Sequence, residues 1–147
     1  MKPAQFDYLR AASVEEALSH LATYGDRARI MAGGQTLMPI LNFRLLEPEL
    51  IIDIASIIPL AHIRVDANWI EIGAAVTQSE LLAWSDLPQE IPLLAAALPW
   101  VGHFQTRNRG TVCGSIAHSD PSSELPLSLA VLGGQVDLSS QRGIRTL

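Results

Sequence analysis

The sequence predicts an α+β chain of two subdomains, and three observations carry that prediction. Apolar runs and helix starts alternate from the N-terminus to about Ile54, giving strand–helix–strand–helix–strand. After Pro59 the apolar residues alternate with period two, the mark of a hairpin. The chain has 147 residues of which 48% are apolar, enough to bury a core without disulfide or metal staples. We place the subdomains at residues 1–56 and 57–147, joined near Ser56 to Pro59, the second being incomplete at its C-terminus.

The elements follow in order. Pro3 to Arg10 reads as an extended lead-in. Ser13 starts a helix with Glu16 in the capping-box position, Val14, Ala17, Leu18 and Leu21 as its stripe, and Gly25 as its end. Arg29 to Ala32 is a short strand, Thr36 to about Leu45 a helix with Pro39 in its first turn, and Leu50 to Ile54 a buried strand. Residues Ile63–Asp66 and Trp69–Ile72 form a hairpin around Ala67-Asn68. Thr77 caps a helix, again with Glu80 three residues on. Ile91 to Leu98 is an apolar helix between two prolines, Gly102 to Ser115 a loop, and Pro121 to Leu132 a last helix ended by Gly133-Gly134. Gln135–Ser139 and Ile144–Leu147 make a final hairpin. Its second strand breaks off in mid-course, which reads either as an abrupt stop or as a fragment of something longer.

Charge and cysteine content exclude several classes. The net charge is −5 and nine of the ten basic residues are scattered arginines, which argues against a nucleic-acid or anionic-membrane surface. One cysteine supports neither a disulfide framework nor a cysteine-built zinc or iron–sulfur site, and points to a reducing, cytoplasmic setting. The longest stretch free of charge, Ile91 to Thr106, is shorter than a membrane span and holds two prolines. The first eleven residues carry Lys2, Asp7 and Arg10 and have no apolar run, so they do not read as a signal peptide.

Two glycine segments concentrate the functional signal. In Ala32-Gly33-Gly34-Gln35-Thr36, between a strand and a helix, glycines let backbone N–H groups converge where a helix N-terminus adds positive potential. It matches neither G-x-G-x-x-G nor the P-loop, and a tight turn requiring positive φ is the alternative. Thr106 to Ser115 holds two glycines, two arginines and hydroxyl residues, an anion nest with its own neutralising charge or else a solvated loop. One such segment in each subdomain is the arrangement a diphosphate in a cleft requires. His118, Asp120 and Glu124 have no recognised metal-ligand spacing, and Asp120 before Pro121 reads as a helix N-cap.

Ala32 to Pro39 and Arg107 to Pro121 resemble the two flavin signatures of the molybdenum hydroxylases, whose FAD-binding medium subunits occur in carbon monoxide dehydrogenase-type enzymes and whose flavin domain occurs in xanthine dehydrogenase. The resemblance extends from Phe6-Asp7-Tyr8 to Leu147. It implies the α+β FAD-binding fold of the p-cresol methylhydroxylase and vanillyl-alcohol oxidase type, here truncated. It implies that Ile30, Met31, Ala32, Gly33, Gly34, Gln35, Thr36 and Leu37 wrap the FAD pyrophosphate, that Thr111, Val112, Cys113, Gly114 and Ser115 form a second FAD segment, and that Asp120 and Glu124 bind ribose or adenine groups. It further implies a molybdenum-cofactor large subunit and a [2Fe–2S] small subunit as partners, with the flavin passing electrons to an external acceptor. No catalytic side chain is assigned, because the cofactor does the chemistry. Two departures stand out. Cys113-Gly114 replaces the family's Gly-Gly, which requires the Cys113 side chain to point away from a diphosphate. By the resemblance, the rest of the flavin domain and a C-terminal domain are expected to follow Leu147. The alternatives are a stand-alone flavin oxidoreductase of the same fold and a non-catalytic half-domain.

Overall fold

A computed structural model describes residues 2–147; Met1, at the head of the N-terminal segment discussed above, lies outside the described residues. In chain order the elements are β1 (Asp7–Arg10), α1 (Val14–Tyr24), β2 (Ala28–Met31), α2 (Leu37–Asn42), β3 (Leu50–Asp53), β4 (Ile63–Val65), β5 (Ile70–Ile72), α3 (Gln78–Ala83), α4 (Leu87–Glu90), α5 (Pro92–Ala97), α6 (Phe104–Arg107), α7 (Val112–His118), α8 (Glu124–Val131), β6 (Asp137–Ser140) and β7 (Gly143–Thr146). By contacts the chain divides into two units: residues 2–57 with Gln135–Leu147, and Ile58–Gly134.

The first unit is built on a parallel sheet of order β1-β3-β2, in which Asp53 lies level with Arg10 on one side and Met31 on the other. Its central strand is buried at every residue, as its unbroken Leu50-Ile51-Ile52 run requires for a strand covered on both faces. Helix α1 starts where expected: Ser13 Oγ accepts the N–H of Glu16 at 3.2 Å. The return bond comes from one residue early: the Ala12 N–H donates to the Glu16 carboxylate at 2.6 Å. Gly25, at φ +54, ends the helix. Helix α2 stops at Asn42 rather than near Leu45, because Arg44 turns to φ +54 and breaks the ladder. Ile51, Ile52, Leu41 and Ile57 are almost fully buried, each stabilising by about 1.5–3 kcal/mol relative to exposure.

The final hairpin, β6 with β7, groups with this first unit, whereas the sequence reading put it in residues 57–147. It packs beside α1, where Leu18, Leu21 and Ala22 face Ser139, Ser140, Gln141 and Arg142. Amphipathic pattern alone gives no such address, since an exposed hairpin with one apolar residue per strand fits any apolar helix face.

The second unit opens with the antiparallel β4–β5 hairpin, closed by the Asp66 N–H donating to the Trp69 carbonyl at 2.8 Å. Helix α3 carries a full capping box: Glu80 N–H to Thr77 Oγ1, and Thr77 N–H to the Glu80 carboxylate. The core comprises Val76, Leu81, Leu87, Ile91, Leu94, Leu98, Val101, Val112 and Leu125. Three local readings differ from expectation. A short α4 precedes α5, with Pro88 at its start. The stretch from Gly102 to Ser115 is not one loop, for α6 and the start of α7 occupy much of it. The last helix begins at Glu124, not Pro121, because Asp120 Oδ1 accepts the Ser122 N–H at 2.9 Å in a turn ahead of the helix. Asp120 is therefore a turn residue, and Ser123 holds the N-cap position. No helix is long and apolar enough to cross a membrane, among the described residues.

Candidate functional site: two glycine segments

The first segment leaves β2 at Met31, whose carbonyl accepts the Ile54 N–H at 2.9 Å, so the loop starts at the carboxyl edge of the parallel sheet. Ligands of open α/β sheets bind at that edge. Gly34 sits at φ +70, and a Cβ built on it would lie 3.2 Å from Met31 Sδ. The backbone angle favours glycine there, and a side chain would also press on Met31. The Gly34 carbonyl accepts the Met38 N–H at 3.0 Å, and Gln35 Nε2 donates to the Gly33 carbonyl at 3.2 Å. Among the described residues, no acceptor takes the backbone N–H groups of Gly33, Gly34, Gln35, Thr36 and Leu37. Thr36 makes no side-chain cap. Helix α2 has only six residues, so the free N–H groups, not a long helix's dipole, carry the attraction for an anion.

Beside this loop, level with Met31, lies a polar network that sequence reading missed. The Tyr8 hydroxyl donates to Asp53 Oδ2. Asp53 is 9% exposed, and its Oδ1 accepts the Ala55 N–H at 2.8 Å. On β1, Arg10 Nε donates to Ser56 Oγ at 3.0 Å. An aspartate closing an apolar strand was the available signal. Its partners come from strand register, which sequence does not give.

The second segment is assembled differently. Thr77 and Thr111 form an antiparallel bridge, flanked by bonds from the Gln78 N–H to the Gly110 carbonyl at 2.8 Å and from the Val112 N–H to the Val76 carbonyl at 3.1 Å. Thr111 is 3% exposed and caps α7, its Oγ1 accepting the Gly114 N–H at 3.0 Å. A Cβ on Gly114 would stand 2.6 Å from that oxygen, so this glycine serves close approach rather than an unusual φ. The Cys113 thiol donates to the Ile72 carbonyl at 3.4 Å, and burial pushes its pKa up. Ser115 Oγ and Ser123 Oγ are 3.1 Å apart, linking α7 to the start of α8.

One of the two arginines of this segment is engaged by the protein itself. Arg107 Nη1 donates to the carbonyls of Pro99, Val101 and Gly102, which ties down the chain before α6. Arg109 is exposed. Asp120 holds the Ser122 N–H and hydroxyl, and these bonds, with a smaller contribution from His118, keep its carboxyl pKa low. Glu124 opens α8, and its carbonyl accepts the Ser128 hydroxyl at 2.7 Å. Among the described residues, no three His, Cys, Asp or Glu side chains gather as metal ligands.

One residue beside this segment has no counterpart in the sequence reading. Gln78 is 4% exposed, and its Oε1 is buried without a hydrogen-bond partner.

A three-stranded parallel sheet with a glycine loop at its carboxyl edge is an arrangement that open α/β folds use for nucleotide cofactors. Residues 4–147 match the family described as the FAD binding domain in molybdopterin dehydrogenase, and the chain belongs to that family. Among curated relatives, it is 46% identical over 147 residues to the 6-hydroxypseudooxynicotine dehydrogenase complex subunit alpha of Paenarthrobacter nicotinovorans, covering all of this chain and 50% of that one. It is 38% identical over 148 residues to the carbon monoxide dehydrogenase medium chain of Hydrogenophaga pseudoflava, covering 51% of it. Among solved structures, quinoline 2-oxidoreductase from Pseudomonas putida 86 superposes with a TM-score of 0.95 at 37% identity, over 100% of this chain and 51% of that chain. The chain thus spans about half the length of the curated relatives it matches. These relatives are oxidoreductase subunits, and the fold is that of the FAD-binding subunit.

Proposed function

We propose that this chain is the FAD-holding part of a medium subunit in a molybdenum-containing hydroxylase or dehydrogenase. The observation that carries this reading is the loop after β2, where five successive backbone N–H groups have no internal acceptor and Gly34 adopts a φ that keeps side-chain atoms out. A diphosphate presents only acceptor oxygens and negative charge, so such a loop fits it without any lysine. In this reading Gly33 to Leu37 hold the diphosphate through the backbone. Ile30, Met31 and Ala32 set the loop's exit from β2.

Thr111 to Ser115, Asp120 and Glu124 are proposed as the cofactor contacts of the second unit. The Cys113 side chain is turned toward Ile72, while the Gly114 N–H is already bound to Thr111 Oγ1. When bound, FAD supplies the capacity to take up electrons and release them to a different acceptor. The chain's own residues bind and orient it.

The partners in this reading are a molybdenum-cofactor large subunit and a [2Fe–2S] small subunit, as the multi-subunit names of the relatives support. A single free thiol supports a cytoplasmic setting. The test is titration of the chain into FAD with flavin fluorescence as readout. Saturable quenching that Gly34→Asp removes supports the reading; quenching that survives Gly34→Asp overturns the assigned loop.

A further inference from the structure

We infer that the Arg10 guanidinium is a further cofactor contact, donating to the diphosphate oxygens that the loop after β2 is proposed to hold. The inference rests on the proposed function above and adds a side chain to it, and every residue it uses belongs to the first unit. Arg10 ends β1, and the strand register sets it level with Asp53 on β3 and Met31 on β2. Residues level with one another across parallel strands project from the same face of the sheet, so these three side chains share a face at its carboxyl edge. The Tyr8 hydroxyl, two residues back on β1, reaches Asp53 across that face. The Gly34 turn lies on it as well, since a Cβ at Gly34 would stand 3.2 Å from Met31 Sδ. Arg10 and Met31 are two strand spacings apart, about 9.5 Å between backbones. A long arginine side chain and a diphosphate close that gap from opposite sides.

The guanidinium is held in place but not used up. Arg10 is exposed, and its Nε donates to Ser56 Oγ at 3.0 Å, which steers the head group. Among the described residues its Nη groups meet no acceptor. Arg29, nearer the amino end of the sheet, by contrast spends Nη1 on the carbonyls of Asp26 and Ala28. The strand carrying Asp53 runs between Arg10 and the loop, and both oxygens of that carboxylate are engaged, by the Tyr8 hydroxyl and the Ala55 N–H. Its negative charge repels a diphosphate, and a guanidinium on the same face offsets that repulsion. The Nη–H fork of an arginine matches a pair of phosphate oxygens.

The experiment compares Arg10→Met, which keeps the stem and removes the charge, with Ser56→Ala, which releases Nε and keeps the charge. Wild type and Gly34→Asp stand beside them. Each is titrated with FAD and with ADP at low and high salt, and thermal unfolding is followed alongside. We expect Arg10→Met to bind both ligands about tenfold more weakly at low salt, or about 1.4 kcal/mol. That loss should shrink as salt screens the charge, and Ser56→Ala should keep most of the affinity. Equal losses in Arg10→Met and Ser56→Ala, both with the wild-type salt dependence, make Arg10 a support of the turn and overturn the contact. A loss seen with FAD but not with ADP also overturns it, since both ligands carry the diphosphate. Unchanged affinity in Arg10→Met, with Gly34→Asp still unable to bind, overturns the Arg10 contact and leaves the loop standing. FAD binding by Gly34→Asp overturns the loop and the contact that rests on it, and no binding by wild type overturns the proposed function with both. Should Arg10→Met not fold, the Nη resonances of Arg10 in wild type are followed as ADP is added. A shift supports the contact, and unmoved resonances overturn it.

Discussion

The two glycine segments look alike as strings of residues and differ in almost every physical respect. Gly34 is glycine because its backbone stands at φ +70, and the N–H groups around it are left without internal acceptors. Gly114 is glycine because the Thr111 hydroxyl needs the space of its Cβ, and its N–H is spent on that hydroxyl. One segment offers donors, while the other has used most of them to build a bridge, a cap and a helix start. The lesson is that glycine content marks places where backbone comes close to something. Whether that something is a ligand or the protein itself depends on which N–H groups are already taken.

This contrast is open to direct attack. The largest effect is expected at the open segment. Gly34→Asp places a carboxylate and a strained φ where the diphosphate is proposed to bind, and FAD affinity measured by fluorescence quenching should fall about 100-fold or more, close to 3 kcal/mol. At the closed segment the damage should appear in stability instead. Gly114→Ala drives a methyl into the Thr111 oxygen and should lower unfolding free energy by about 1–3 kcal/mol in urea titration. Thr111→Val removes the helix cap while keeping its shape, at about 1 kcal/mol in the same measurement. If Gly114→Ala abolished FAD binding without touching stability, the division of labour between the segments would be wrong.

The smallest effect concerns Cys113. Its folded pKa is raised by burial above the ordinary 9.0, so the folded state disfavours the thiolate. Stability from this group is present below pH 9 and declines as pH rises through that range, where the unfolded chain releases the proton first. A stability–pH profile should show this decline in wild type, with the thiol's share of it absent from Cys113→Ala.

Much of the first unit was legible because its signals are local. Ser13 with Glu16, Gly25 at the end of α1, and the unbroken Leu50–Ile52 run each act within a few residues. The Thr77–Glu80 box and the Ala67-Asn68 hairpin were legible for the same reason. What escaped depends on contacts between distant residues. Helices α6 and α7 were hidden because glycines and arginines dominate Thr106 to Ser115. Burial of Val112, the Thr111 cap and the carbonyls gathered by Arg107 nonetheless make that stretch regular. Likewise, α4 was masked by Pro88, which its first turn tolerates. Gln78 could not be singled out, since nothing in Val76-Thr77-Gln78 says that its amide is buried.

The assignment of Gln135–Leu147 to the first unit bears on how the chain is made. At about 5–20 residues per second on the ribosome, β1 emerges before β3 and waits for it, because among the described residues β1 pairs only with β3. The second unit is one uninterrupted stretch, and every residue of it has been synthesised before the first unit's last hairpin exists. Within residues 2–147, the first strand made, β1, and the last hairpin made therefore belong to one unit, with the whole of Ile58–Gly134 synthesised between them.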